Sequence, residues 1–161
     1  MFKQKISLKA RALRYLSMRE HSRVELARKL AGHVQEDDDL EAVLDFLENA
    51  NYLSDQRFSE SLVNRRQARF GNQKILAELQ SHQLSKDDMA ALKCKLEESE
   101  GQRAINVLHR KFPRVACDST EKAKQMKFLM QRGFSSSAIN VALRASRDLD
   151  DLISPDARCS S

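Results

Sequence analysis

The chain has 161 residues, of which 32% are charged and 6% aromatic, with no Trp, only 4 Gly and 2 Pro, and a net charge of +5. So few turn-forming residues argue for helices joined by short links and against a β protein. No apolar run reaches the roughly 18 residues that span a bilayer, and the basic start "MFKQKISLKARALRYL" lacks the uncharged core of a secretory signal, so an intracellular, cytoplasmic protein is expected.

Taken in order, nine helices are predicted, near 7–18, 22–32, 39–50, 55–69, 72–82, 85–97, 100–112, 119–132 and 135–147. Side-chain oxygens mark many of the starts. Ser22 with Glu25 forms a capping box, in which hydroxyl and carboxylate each satisfy a backbone N–H at the helix start. Ser85 with Asp88 is an acidic variant. Ser54, Ser135 and either Asp118 or Ser119 stand before the other helical runs, each cap contributing about 1 kcal/mol. The acidic run Asp37–Asp39 fails the calcium-loop pattern and is expected to be a solvated start to the third helix. Apolar residues recur at helical spacing, as at Leu76 and Leu79, and at Ala123, Met126, Leu129 and Met130. Pro113 is expected to end the seventh helix.

Two stretches repeat. "LAELQSHQLSKDDMAAL" aligns with "MKFLMQRGFSSSAINVAL" at an offset of 50, and "SRVELARKL" with "GNQKILAEL" at 49. The period predicts an all-α protein of three tandem three-helix units forming an elongated, curved body. The boundaries are residues 1–54, 55–98 and 99–147, followed by a flexible acidic tail at 148–161. An irregular helical domain is the competing reading.

Charge comes in blocks. Residues 1–32 hold nine Lys/Arg against two Asp/Glu, residues 33–60 one against nine, and residues 103–147 ten against two. Basic blocks of this kind attract polyanions. The densest local feature is "NRRQARFGNQK". Arg65, Arg66 and Arg69 crowd the end of a helix, with Lys74 at the start of the next. Arginines in a last turn suit the helix dipole, with Gly71 then a C-cap of positive φ. Lys74 sits at a dipole's positive end, which capping does not explain. On these residues alone, capping and a contact surface stay open.

No catalytic constellation is present. The phosphate-loop pattern is absent from "RFGNQK". Cys94, Cys117 and Cys159 are dispersed, and His21, His33, His82 and His109 show no ligand spacing, so neither metal, cofactor nor disulfide framework is expected. The protein is read as a non-enzyme.

Three stretches carry a resemblance: "YLSMREHSRVELARKL", then "YLSDQRFSESLVNRRQARFG", then "EKAKQMKFLMQRGFSSSAINVAL". Together they resemble the bacterial RecX family of regulators of the RecA recombinase, from about residue 10 to 145. The resemblance implies repeated three-helix units and binding to the RecA–single-stranded DNA filament. It further implies that recombinase, ATPase and co-protease activities are inhibited. Two positions depart from the family pattern: Gln83 stands where a glycine is common, and Asn72 where a proline is. If φ at Gln83 is positive, its side chain costs about 1 kcal/mol.

Partner contact is assigned to Arg65, Arg66, Arg69 and Lys74, joined by Arg110, Lys111, Lys124, Lys127 and Arg132. Lys124 and Lys127 lie off the Met126/Leu129/Met130 stripe and should be exposed. Phe70 and Tyr52 are expected in the core. A monomer is expected, with weak non-specific DNA binding. Groove occupancy and blocking of filament growth both fit the sequence. The alternative function is a sequence-specific helix-turn-helix transcriptional regulator, with residues 22–32 as recognition helix and Arg23, Arg28 and Lys29 as its contacts.

Overall fold

The structure, a computed structural model, describes residues 6–146. The tail at 148–161 lies outside the described residues. Eight α-helices and no strand occur among those described. They are α1 (Leu8–Met18), α2 (Arg23–Ala31), α3 (Leu40–Asn49), α4 (Asp55–Arg66), α5 (Asn72–Gln80), α6 (Lys86–Lys111), α7 (Ser119–Gln131) and α8 (Ser136–Arg144).

The starts follow the local chemistry. Ser22, Ser54, Asp118 and Ser135 accept the N–H of the residue three positions on, at 3.1, 3.3, 2.7 and 3.3 Å. At α2 the Glu25 carboxylate is held by the Arg19 guanidinium. The carboxylate half of the expected Ser22/Glu25 capping box is thus taken by a cation, and at α7 the Glu121 carboxylate accepts the N–H of Cys117 at 2.9 Å, one residue before the cap Asp118.

The chain divides into two compact units. The first comprises residues up to Val63 with Leu79–Ser85; the second comprises Asn64–Glu78 with residues from Lys86 onward. In the first unit, Leu8 and Ala12 of α1, Leu26 and Leu30 of α2, and Leu44 and Leu47 of α3 close around Leu53. Their i, i+3 and i+4 spacing puts each pair on one helix face, and full burial of a leucine contributes about 1.5–3 kcal/mol. Tyr52, expected inside, is 53% exposed, and its neighbour Leu53 takes the core position.

In the second unit, Ala104, Val107 and Leu108 of α6 pack with Leu129 of α7 and with Phe134, Ala138, Ile139 and Ala142. The predicted stripe on α7 is displaced. Leu129 is buried, but Met126 and Met130 are 37% and 61% exposed, and Gln125 and Phe128 complete the inner face. A helix repeats every 3.6 residues, so two stripes sharing Leu129 fit the spacing equally well. The position of the neighbouring helices decides between them.

The sixth and seventh predicted helices are one element, α6, 26 residues long. The sequence reading left residues 98–99 as a link between two helices. Leu92, Leu96, Glu100 and Ala104 instead form an unbroken i+4 line of buried residues, with Glu100 only 6% exposed. Nothing between Glu97 and Gly101 forces an end, because a lone glycine costs only about 1 kcal/mol. As predicted, the helix stops just before Pro113.

Positive φ occurs at Asn51 (60°), Gln83 (55°) and Gly133 (81°). Gln83, where the resembled family commonly has glycine, therefore does hold the left-handed backbone that makes its side chain costly. Gly71 does not have positive φ, and the C-cap reading of it is corrected: it is a point of close approach. A Cβ there would lie 2.3 Å from the Phe134 N and 2.4 Å from the Gly133 carbonyl.

Candidate functional site

The arginine cluster lies at the end of α4. Its last regular residue is Arg66; Phe70 N–H still reaches the Arg66 carbonyl at 3.0 Å, and the chain then turns into α5. Helix ends leave carbonyls without intrahelical partners. Three distant arginines take three consecutive ones: Arg110 donates to Ala68 O at 2.9 Å, Arg132 to Arg69 O at 3.1 Å and Arg103 to Phe70 O at 2.9 Å. Backbone bonds from Gly71 N–H to Arg132 O and from Gln73 N–H to Gly133 O, at 2.9 and 3.0 Å, bind this turn to the one after α7.

Glu100 locks the junction. One of its oxygens accepts the Asn72 N–H at 2.9 Å and the Ser135 N–H at 3.2 Å; the other accepts the Ser135 hydroxyl at 2.6 Å. A single buried carboxylate thus serves the N-terminal ends of both α5 and α8, where the helix dipoles favour negative charge. One turn along α6, Arg103 reaches the Asn72 side chain as well as Phe70. Burial lowers the Arg103 pKa, and the charge of Glu100 offsets part of that.

These contacts shape an open groove of about 580 Å³. The turn and α5 supply Ala68, Arg69, Phe70 and Lys74. Val107, Arg110 and Lys111 come from α6, and Phe128, Gln131 and Arg132 from α7 and its end. Five of the nine residues assigned to partner contact, Arg69, Lys74, Arg110, Lys111 and Arg132, therefore line one groove. Arg66 stands apart: its guanidinium grips Glu78 through two bonds of 2.8 Å, and this pairing raises its pKa further. Arg65 is exposed and does not line the groove. Lys124 and Lys127 are exposed on α7. They too lie outside the groove, although their spacing places them on the helical stripe of Phe128 and Gln131.

Phe70, expected in the core, is only partly buried and lines the groove. Lys74 Nζ lies 5.4 Å from its ring centre, and the guanidinium carbons of Arg66 and Arg132 lie at 5.9 and 6.0 Å. Sequence reasoning missed Phe128, Arg103 and Glu100. Phe128 carried a signal, since it sits four residues from both Lys124 and Arg132. Nothing local marked Arg103 or Glu100.

Chemically, the groove suits an anion. Guanidinium forks and lysines bind carboxylates or phosphates. Among the described residues no group of three or more His, Cys, Asp or Glu could hold a metal ion, and no helix is long and apolar enough to cross a membrane.

The proposed recognition helix of the alternative reading is committed elsewhere. Arg23 bonds Glu41, Asp45 and Glu48 of α3, each at 2.7 Å, and its pKa is raised by Glu41 foremost, burial opposing. Lys29 reaches His21 Nε2 at 2.9 Å and Glu25 at 3.5 Å. Of its three assigned contacts, Arg28 is the exposed one.

Comparison with known proteins shows where this arrangement belongs. Residues 9–47 match the family description "RecX, first three-helix domain", and residues 98–143 match "RecX, third three-helix domain". The Regulatory protein RecX of Herminiimonas arsenicoxydans is 58% identical over 94% of this chain and 100% of its own length. The chain belongs to the RecX family. A second RecX, from Herbaspirillum seropedicae, is 56% identical over 91% of this chain and 96% of its own. The crystal structure of RecX from Lactobacillus salivarius shares the fold, with a TM-score of 0.71 at 22% identity, covering 92% of this chain and 98% of that one. The all-helical architecture expected from composition is thus the RecX architecture, with eight described helices in place of nine.

Proposed function

We propose that this member of the RecX family binds the RecA–single-stranded DNA filament and modulates, mainly by inhibition, the recombinase, ATPase and co-protease activities of RecA. It acts by covering a surface and transforms no substrate. Family membership supports the reading. The observation that carries it is the convergence of five cations from four separate segments on one groove. Carbonyl bonds account for Arg110 and Arg132; adding Arg69, Lys74 and Lys111 beside them only increases like-charge repulsion, so the convergence argues for an anionic partner. Lys124, Lys127 and Arg65 would extend the contact beyond the groove. The protein works in the cytoplasm as a monomer, and its association with free DNA is weak and indifferent to sequence. Three helical modules with boundaries after residues 54 and 98 organise the surface, a proposal supported by the two matched domains.

The test uses the side chains that the fold does not need. Arg110 and Arg132 cap carbonyls, so the variant is Arg69→Glu, Lys74→Glu and Lys111→Glu combined. Its half-inhibitory concentration against RecA-driven ATP hydrolysis on single-stranded DNA should rise at least tenfold, with unchanged far-UV circular dichroism. Full inhibition by the folded variant would remove the groove from the mechanism.

A further inference from the structure

The groove is built for one class of anion more than another. We infer that it takes an acidic protein segment bearing an apolar side chain, and not a nucleic acid strand. This deepens the proposed function and rests on the groove being the partner surface.

The first observation concerns the rings. A single strand gains much of its affinity by stacking bases on open aromatic faces, about 1–3 kcal/mol per base. Here the rings already face cations. Arg132 lies 4.6 Å from the centre of Phe128, and Lys74, Arg66 and Arg132 stand over Phe70 at 5.4–6.0 Å. The Phe128 ring also meets Phe112 edge to face, with centroids 5.4 Å apart. A base would have to displace those cations to stack.

The second observation is the apolar part of the groove. Phe70, Phe128 and the nearly buried Val107 lie among the charges. A sugar–phosphate backbone would leave that surface unfilled. An aliphatic side chain between two carboxylates would cover it while the acids reach the rim, the usual division between an apolar anchor and polar orienting groups.

The third is preorganisation. Arg110 and Arg132 are each fixed by a bond to a backbone carbonyl. A guanidinium carries five N–H donors, so each keeps donors for a planar carboxylate and loses little side-chain freedom on binding it.

The experiment is fluorescence anisotropy on the full chain at fixed low salt. The probes are a labelled peptide of about twelve residues, mostly glutamate with two leucines, the same peptide with serine for leucine, and a labelled oligothymidylate of equal length. The leucine peptide should bind, the serine version at least fivefold more weakly. Arg69→Glu with Lys111→Glu should weaken the leucine peptide at least tenfold, and oligothymidylate should fail to displace it at equal concentration. Three results would overturn the inference: oligothymidylate binding more tightly in a groove-dependent way, leucine and serine peptides binding alike, or no peptide binding. The same double variant is assayed for inhibition of filament ATPase. Lost inhibition without peptide binding would sink this inference and leave the proposed function standing. Unchanged inhibition would sink both.

Discussion

Gly71 is a glycine because of what lies beside it. Backbone from Gly133 and Phe134 occupies the space a Cβ would need, and backbone cannot swing aside as a side chain can. Gly71→Ala should therefore cost about 1–3 kcal/mol, the usual range for overpacking. Gly32, with nothing within 4 Å of its Cβ position and φ of −73°, should accept alanine with little change. Gln83 is the opposite case. At φ 55° an L side chain is strained by about 1–2 kcal/mol, so Gln83→Gly should raise stability by about 1 kcal/mol. Urea denaturation of the three variants checks the order, and a destabilised Gln83→Gly would contradict the backbone reading. His21 gives a pH-dependent counterpart. Its buried ring accepts from the Lys29 ammonium at Nε2, so the proton resides on Nδ1 and is donated to Arg19 O at 2.9 Å. Burial lowers its pKa below the ordinary 6.5; the Arg19 carbonyl and Glu25 oppose this, while the charges of Arg19 and Lys29 add to it. The unfolded chain thus binds the proton more readily. Stability is full above about pH 6.5 and falls as the pH drops below it, because the unfolded state gains protons first. His21→Gln should show a shallower decline than the parent between pH 7.5 and 5 in parallel denaturation series.

At the scale of elements, helix starts were readable because each is written in neighbouring residues. A serine or aspartate and the N–H three positions on are enough to define one, as at Ser22, Asp118 and Ser135. The continuity of α6 was not readable, because Glu100 looks like a surface residue until two other helix starts are brought to it. Its donors, Asn72 and Ser135, lie 28 and 35 positions away. The stripe of α7 was ambiguous for a related reason: period alone does not say which side faces inward. The α6 account makes a specific forecast at Gly101. That residue lies inside a regular helix, and a Cβ would meet Val141 Cγ1 at 3.5 Å, an ordinary contact. Gly101→Ala should then stabilise the protein by about 0.5–1 kcal/mol, seen as a shift of the urea midpoint at unchanged m-value. A loss of stability would mean that the helix needs a flexible joint at this point.

Over the whole molecule, the blocks of charge visible in the sequence turn out to be used in two ways. Part of the basic start is spent within the fold: Arg23 meets three acids of α3, and Arg19 and Lys29 both pair with Glu25, while Arg57, the lone cation of the acidic block, bonds Glu20 and the carbonyls of Asn51 and Tyr52. The basic stretch from 103 to 147 both caps a turn and lines the groove. Which arginine does which could not be read from the chain, since the bonds to Ala68, Arg69 and Phe70 span 42, 63 and 33 positions. Phe70 was misjudged for the same reason: its surroundings come from α6 and α7, beyond the reach of local pattern. If binding is carried by the second unit's basic surface, charge reversal should matter by location and not by count. Lys124→Glu with Lys127→Glu should weaken association with RecA filaments several-fold. It should also flatten the dependence of affinity on salt, because exposed charges are screened over roughly 8–10 Å at physiological ionic strength. Arg28→Glu with Arg14→Glu removes the same number of exposed cations from the first unit. That pair should leave affinity within about twofold and the salt dependence unaltered. Binding titrations on filaments at three salt concentrations distinguish the cases. Equal losses from both pairs would mean that the filament responds to net charge alone and that the second unit's basic surface has no special standing.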